Sequence, residues 1–162
     1  MSFILKILSM FLLLLLGCSS QEKNIYIESP DKNISVKILK RNNDFIYNVN
    51  FNGKTIIQDS KVGLMFKNNF EFPTNHNVKK VEKGFHKNTW ELPWGEKKVV
   101  KDIYNEIIIS LTDTNNLETG KMLFRAYDDG IAFRYQMNDN KKNQDSLICL
   151  LYTSDAADEK RC

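Results

Sequence analysis

Between its two ends the chain has no cysteine. The three it contains are Cys18, Cys149 and Cys162, so residues 19–148 form neither a disulfide among themselves nor a thiolate metal site. Histidine is as scarce. His76 and His86 are the only two, with no cysteine nearby and no helical period to bring them together. They are a poor metal pair and are better read as surface or loop residues. A glycine-rich phosphate loop is absent, as are a Gly-x-Ser-x-Gly elbow and a Cys–His nucleophile pair, which removes the common nucleotide-binding and nucleophilic-hydrolase readings. No apolar run reaches the roughly twenty residues a membrane-spanning helix takes. Charge of one sign is not in excess either. The formal net charge is +3, and basic and acidic residues are mixed, which argues against nucleic acid as a partner. There is no internal repeat and no long low-complexity run.

The ends are distinctive. Residues 1–17 have the pattern of a sorting signal: Lys6 near the start, then an apolar run over 7–16 broken only by Ser9. The run closes on Leu15-Leu16-Gly17-Cys18, which resembles a bacterial lipobox. A small residue before the cysteine admits the peptidase, and the Cys18 thiol takes a diacylglycerol that anchors the new N-terminus without a spanning helix. Residues 18–23, from Cys18 to Lys23, then form a polar tether. No aspartate follows Cys18, so the expected location is the cell envelope, at the outer membrane where there are two. At the other end, residues 149–159 resemble the translation of a transposase adapter used in sequencing libraries. Residues 149–162 are therefore expected to be a sequencing artefact, and the gene to be cut near Ile148. The two ends carry nearly cancelling charges, so the net positive charge belongs to the middle, whose roughly 130 residues suit a single domain.

The middle reads as strand after strand. Residues 24–28 alternate weakly, and Ser29-Pro30-Asp31-Lys32-Asn33 reads as a turn. Ile34, Val36 and Ile38 have the period of a half-buried strand, as do Phe45, Tyr47, Val49 and Phe51. Asn52-Gly53 is the dipeptide best suited to a type I′ hairpin, with 55–57 as the returning strand and 62–66 as another short apolar run. Residues 68–84 read as an irregular connection, with a strand over 78–85 whose basic residues face outward. Residues 103–111 are strongly β-branched and should be buried. Residues 122–127 and 131–137 flank Asp128-Asp129-Gly130, where Gly130 supplies the flexible φ of a tight turn. No long capped helical period follows the signal. About eight or nine short strands separated by turns predict an all-β, antiparallel β-sandwich.

Three blocks stand in order between residues 90 and 135: Trp90-Glu91-Leu92-Pro93-Trp94-Gly95-Glu96, then Tyr104-Asn105-Glu106, then Phe124-Arg125-Ala126-Tyr127-Asp128-Asp129-Gly130-Ile131-Ala132-Phe133-Arg134-Tyr135. Their order and spacing resemble the N-terminal domain of glycoside hydrolase family 97, retaining and inverting α-glycosidases that include the starch-utilisation α-glucosidase. The resemblance covers about residues 25–137. It implies a large β-sandwich normally followed by a helical linker, a (β/α)8 barrel and a short C-terminal β domain. On that footing residues 24–148 are a sandwich domain incomplete at its C-terminus. The chain is then expected to be the inactive front of a lipid-anchored α-glycosidase acting on oligosaccharides, with calcium expected for the intact enzyme. The second expectation is a stand-alone glycan-binding β-sandwich lipoprotein, supported by the two tryptophans.

The residues themselves set the candidates. Trp90 and Trp94 bracket Pro93, and indole faces stack on the apolar C–H faces of sugars. Core or domain-interface packing around a rigid turn is the stronger reading of the pair. Glu96 can hydrogen-bond sugar hydroxyls or orient a loop, and a solvated carboxylate is an equal reading beside Lys97 and Lys98. Trp90, Trp94 and Glu96 are thus the candidates for a sugar-facing or barrel-facing surface. Glycoside hydrolysis needs two carboxyl groups on opposite sides of the scissile bond. Asp128 and Asp129 are adjacent, which suits a turn and not that geometry. Asp102 and Glu106 share a strand face in a polar setting that suggests an edge. The resemblance places the family's catalytic acids, and most of its calcium-binding glutamates, in or near the barrel. No catalytic residue and no metal ligand is therefore assigned here. Arg125 and Arg134 are expected to pair across the last hairpin, or with Glu106.

Overall fold

The computed structural model describes residues 24–93, 99–138 and 148–152. The expected signal and tether lie outside these residues. Ten strands are described: β1 Ile25–Glu28, β2 Ile34–Arg41, β3 Asp44–Phe51, β4 Lys54–Phe66, β5 Glu71–Phe72, β6 Asn77–Glu91, β7 Val99–Thr112, β8 Glu118–Ala126, β9 Ile131–Met137 and β10 Ile148–Tyr152. All pairings are antiparallel. The first sheet runs β1-β2-β3-β4-β10, with β5 also on β4, and the second runs β6-β7-β8-β9. Two antiparallel sheets over a shared core make the all-β sandwich that the alternating patterns predict.

Period-two alternation builds that core. Val36 and Ile38 of β2 and Phe45, Tyr47 and Val49 of β3 turn inward from the first sheet, each no more than 2% exposed. Ile107, Ile109 and Leu111 of β7 and Met122, Phe124 and Ala126 of β8 answer from the second sheet. Tyr47 bridges the layers, with its ring centroid 6.4 Å from Phe124 and 5.8 Å from Phe133. Each such large apolar side chain contributes about 1.5–3 kcal/mol by leaving water. On β9, the Tyr135 hydroxyl is buried beside the backbone of Gly63 and makes no hydrogen bond of good geometry. Burial pushes that phenol well above its ordinary value.

Turn chemistry sets the register. Asn52 and Gly53 both have positive φ, 49° and 77°, and close the β3–β4 hairpin with Phe51 opposite Lys54. Asn42 and Asn43 do the same for β2–β3, at 49° and 71°, a turn the sequence pattern did not mark. The β8–β9 hairpin forms where expected, closed by the Tyr127 N–H donating to the Gly130 carbonyl at 2.8 Å. The role given to Gly130 is corrected: Gly53 is the one glycine with positive φ among the described residues. The turn closes without a left-handed residue at Gly130.

Other boundaries moved as well. The runs at 55–57 and 62–66 belong to one bent strand, β4, whose pairing with β3 shifts register near Val49. Residues 68–84 are less irregular than expected, since β5 and the start of β6 lie within them. β10 crosses the boundary expected at 148, pairing Ile148 with Phe66 and Tyr152 with Gly63.

Candidate functional site

β6 and β7 outrun their neighbours. β8 pairs with β7 only from Asn105 onward, whereas β6 stays on β7 as far as Glu91 opposite Val99. Residues 86–91 and 99–104 therefore form a two-stranded arm projecting from the second sheet. Opposite partners in an antiparallel ladder share a face. Trp90 with Val100, Asn88 with Asp102 and His86 with Tyr104 line one face of the arm. That face continues onto the side of the sheet away from the core, through Glu106 and its partner Arg125.

The base of the arm joins charged and aromatic side chains in one connected set of contacts. Arg125 donates Nε–H to Glu106 Oε2 at 2.7 Å. Its guanidinium lies 4.4 Å from the centre of the Tyr104 ring, a cation–π contact. The Tyr104 ring stacks on His86 at 4.8 Å and meets Tyr127 at 5.0 Å. His86 Nε2 is 3.5 Å from Glu106 Oε1, an ion pair only while the imidazole is protonated. Glu106 is 7% exposed, and a carboxylate so enclosed is tolerated because the Arg125 guanidinium faces it. Its hydrogen bond holds the Arg125 guanidinium still further into the charged range. Burial raises the Tyr104 phenol above its ordinary value.

The sequence candidates divide. Trp90 is next to last in β6 and is 43% exposed, with Val99 on the arm and Phe85 and Leu92 beside it also exposed. Trp90 is therefore not packed in the core of this chain, and it sits on a strand and not in the turn. Trp94 and Glu96 lie outside the described residues. Asp102 is on the two-stranded arm, while Glu106 is inside the sheet between β6 and β8, so the two do not share an edge. Arg125 pairs with Glu106 as expected; Arg134 sits opposite Leu123 and takes no part in that pair. The histidines need a correction in part. His86 is half-exposed on a strand, but His76 is only 5% exposed. Phe70 and Phe72 flank the His76 ring, and Nδ1 lies 2.8 Å from the Thr74 carbonyl oxygen. The β6–β7 register, set by tertiary packing, brings His86, Tyr104 and Glu106 together; the Tyr104-Asn105-Glu106 block was the one sequence signal pointing there.

No group of three or more His, Cys, Asp or Glu among the described residues is placed to hold a metal ion. Glu106, the most enclosed carboxylate, faces Arg125 and His86. The described residues thus do not provide a calcium cage, and no chemical step here runs through that ion.

Comparison with known proteins supplies the context. The family described as glycosyl-hydrolase 97 N-terminal matches residues 27–155. A glycoside hydrolase family 97 enzyme from Pseudoalteromonas sp. strain K8, solved in complex with panose, is 27% identical with a TM-score of 0.71, over 79% of this chain and 20% of that one. The enzyme from the same strain in complex with acarbose gives 27% identity and a TM-score of 0.70, over 78% of this chain and 19% of that one. A β-arabinopyranosidase shares the fold, with 18% identity and a TM-score of 0.65 over 76% of this chain and 20% of that one. The chain spans about a fifth of the length of these enzymes.

Proposed function

Since the chain belongs to the glycosyl-hydrolase 97 N-terminal family, we propose that it serves as the non-catalytic front of an α-glycosidase, completing one side of the active site of a (β/α)8 barrel. The observation that carries this reading is the match over residues 27–155, together with solved relatives about five times as long. Those relatives bind panose and acarbose, so the substrate class proposed is oligosaccharides with α-glucosidic or α-galactosidic bonds. The β6–β7 arm is the element that reaches toward the barrel. It presents the Trp90 indole on a strand braced at its base by Glu106, Arg125 and Tyr104, with Trp94 and Glu96 following in the connection. A fixed aromatic wall restricts how a sugar ring approaches, and such positioning contributes to catalysis without contributing a reacting group. Calcium belongs to this proposal only for the intact enzyme, with ligands beyond the described residues. Cys18 is proposed to carry the lipid that tethers the enzyme to the bacterial envelope, at the outer membrane. Nucleic acid has no part in it.

The test is made on the intact enzyme. Trp90→Ala should raise KM for panose several-fold with little change in kcat, because it removes contact area and no reacting group. An unchanged KM would remove the arm from the site. Panose hydrolysis by the 162-residue chain alone would overturn the non-catalytic assignment.

A further inference from the structure

At the opposite end of β6 from Trp90 lies a groove of about 770 Å³, within the range of roughly 300–1,000 Å³ common for small-molecule sites. One wall is the segment around β5, with Phe70, Phe72, Thr74 and His76; the other is the β7–β8 turn, with Asp113 and Leu117. The geometry points to this groove as a binding site for a neutral saccharide, separate from the arm and independent of how the arm is used.

Three observations carry the assignment. The groove joins aromatic and aliphatic surface to hydroxyl and amide side chains, the mixture that suits a ring with apolar C–H faces and a hydroxylated rim. His76 is the second. The Thr74 carbonyl can only accept, so Nδ1 carries the proton and Nε2 is left as an acceptor. No hydrogen bond to Nε2 is formed among the described residues, and His76, 5% exposed as a whole residue, lines the groove. Nε2 is thus an accessible acceptor at the groove, and a sugar hydroxyl is a donor that suits it. The ring is fixed for the task, edge-on to Phe72 at 5.1 Å and 71°.

The third observation concerns the facing wall, which is pre-shaped. Asp113 Oδ1 accepts from the backbone N–H groups of Asn115 and Leu117, both at 2.9 Å. The Asp113 N–H donates to the Leu117 carbonyl at 3.0 Å. This closed turn holds Leu117, 62% exposed, at the groove. The charged groups lining the groove are the carboxylates of Asp113 and Glu71, and Lys61 is bound to Glu71 at 3.1 Å. That balance favours a neutral sugar and disfavours an anionic one.

The experiment is a titration of the full 162-residue chain with panose, followed by amide chemical shifts and by calorimetry. Saturable shifts are expected at residues 70–76 and 113–119. Leu117→Ala, on an exposed turn, should weaken binding about three-fold or more without lowering Tm. His76→Phe keeps a ring between Phe70 and Phe72 and should weaken it at least five-fold. Glucuronate should bind at least ten-fold more weakly than glucose. Absence of saturation, shifts confined to the Trp90 and His86 face, or panose affinity unchanged in Leu117→Ala with the wild-type Tm would each overturn the assignment, whatever becomes of the barrel reading.

Discussion

Arg125 and Glu106 face each other across β8 and β7 on the outer side of the second sheet, joined Nε to Oε2 at 2.7 Å. The carboxylate is nearly enclosed and the guanidinium about one-third exposed. The pair is thus asymmetric: removing the arginine strands a desolvated charge, while removing the glutamate leaves a cation that can turn to water.

Arg125→Ala should accordingly lower stability by about 2–3 kcal/mol, near the lower end for a broken buried pair because Arg125 retains solvent contact. Glu106→Gln should cost less. Arg125→Lys should recover only part of the loss, since lysine lacks the planar fork that also covers Tyr104. Urea unfolding checks all three, and equal losses for Arg125→Ala and Glu106→Gln would contradict the asymmetry.

Two glycines should respond in opposite ways. A Cβ at Gly120 would stand 2.5 Å from the Gln136 carbonyl oxygen and 3.1 Å from both Met137 Cα and Phe72 Cζ. Backbone atoms of a paired strand cannot yield cheaply, so Gly120→Ala should cost about 1–3 kcal/mol or more. Gly130 has nothing within 4 Å of such a Cβ and no positive φ. Gly130→Ala should be neutral, or stabilise by up to about 1 kcal/mol through the unfolded chain. Thermal unfolding of the two variants decides it.

Tyr135→Phe should not destabilise the sandwich. It keeps the ring, 6.1 Å from Phe72, and removes a buried hydroxyl that lacks a good hydrogen bond. The expected change is zero to about 1 kcal/mol in favour of the variant. A Tm lowered by several degrees would mean that the hydroxyl has an effective partner at Gly63.

The turn before β2 gives a pH prediction. The Ser29 hydroxyl and the Asn33 backbone N–H hold the Asp31 carboxyl below its ordinary value of 3.8. A carboxylate depressed in the folded state contributes stability that is complete above the unfolded pKa and is lost as pH falls through the folded one. Its contribution should therefore be intact at pH 5–7 and fade below the ordinary value. Asp31→Asn should flatten the acid limb of Tm against pH in that window and leave its slope between pH 5 and 7 unchanged. Asp31 also donates its N–H to Asp128 Oδ1 at 2.9 Å, so the effect should be felt at the tip of the β8–β9 hairpin.

Much of this fold was legible because side-chain alternation along a strand is a local property. Val36, Ile38, Tyr47 and Val49 announce their inward face from spacing alone, the β-branched run over 103–111 announces burial without naming a face, and Asn52-Gly53 announces a turn because both residues accept positive φ. The three-block resemblance pointed to the family that the match over residues 27–155 bears out. Partners across strands are a different matter. That His86 meets Tyr104 and Arg125 meets Glu106 follows from the register of three strands, which no stretch of sequence encodes by itself. Burial of His76 depends on Phe70 and Phe72 folding around it, although all three lie in a segment whose asparagines and proline read as an irregular connection. Exposure of Trp90 depends on how far β6 and β7 extend past β8. The sequence by itself determined which faces turn inward and where the chain reverses; tertiary structure decided which side chains meet, because long-range register is set by the summed packing of both sheets.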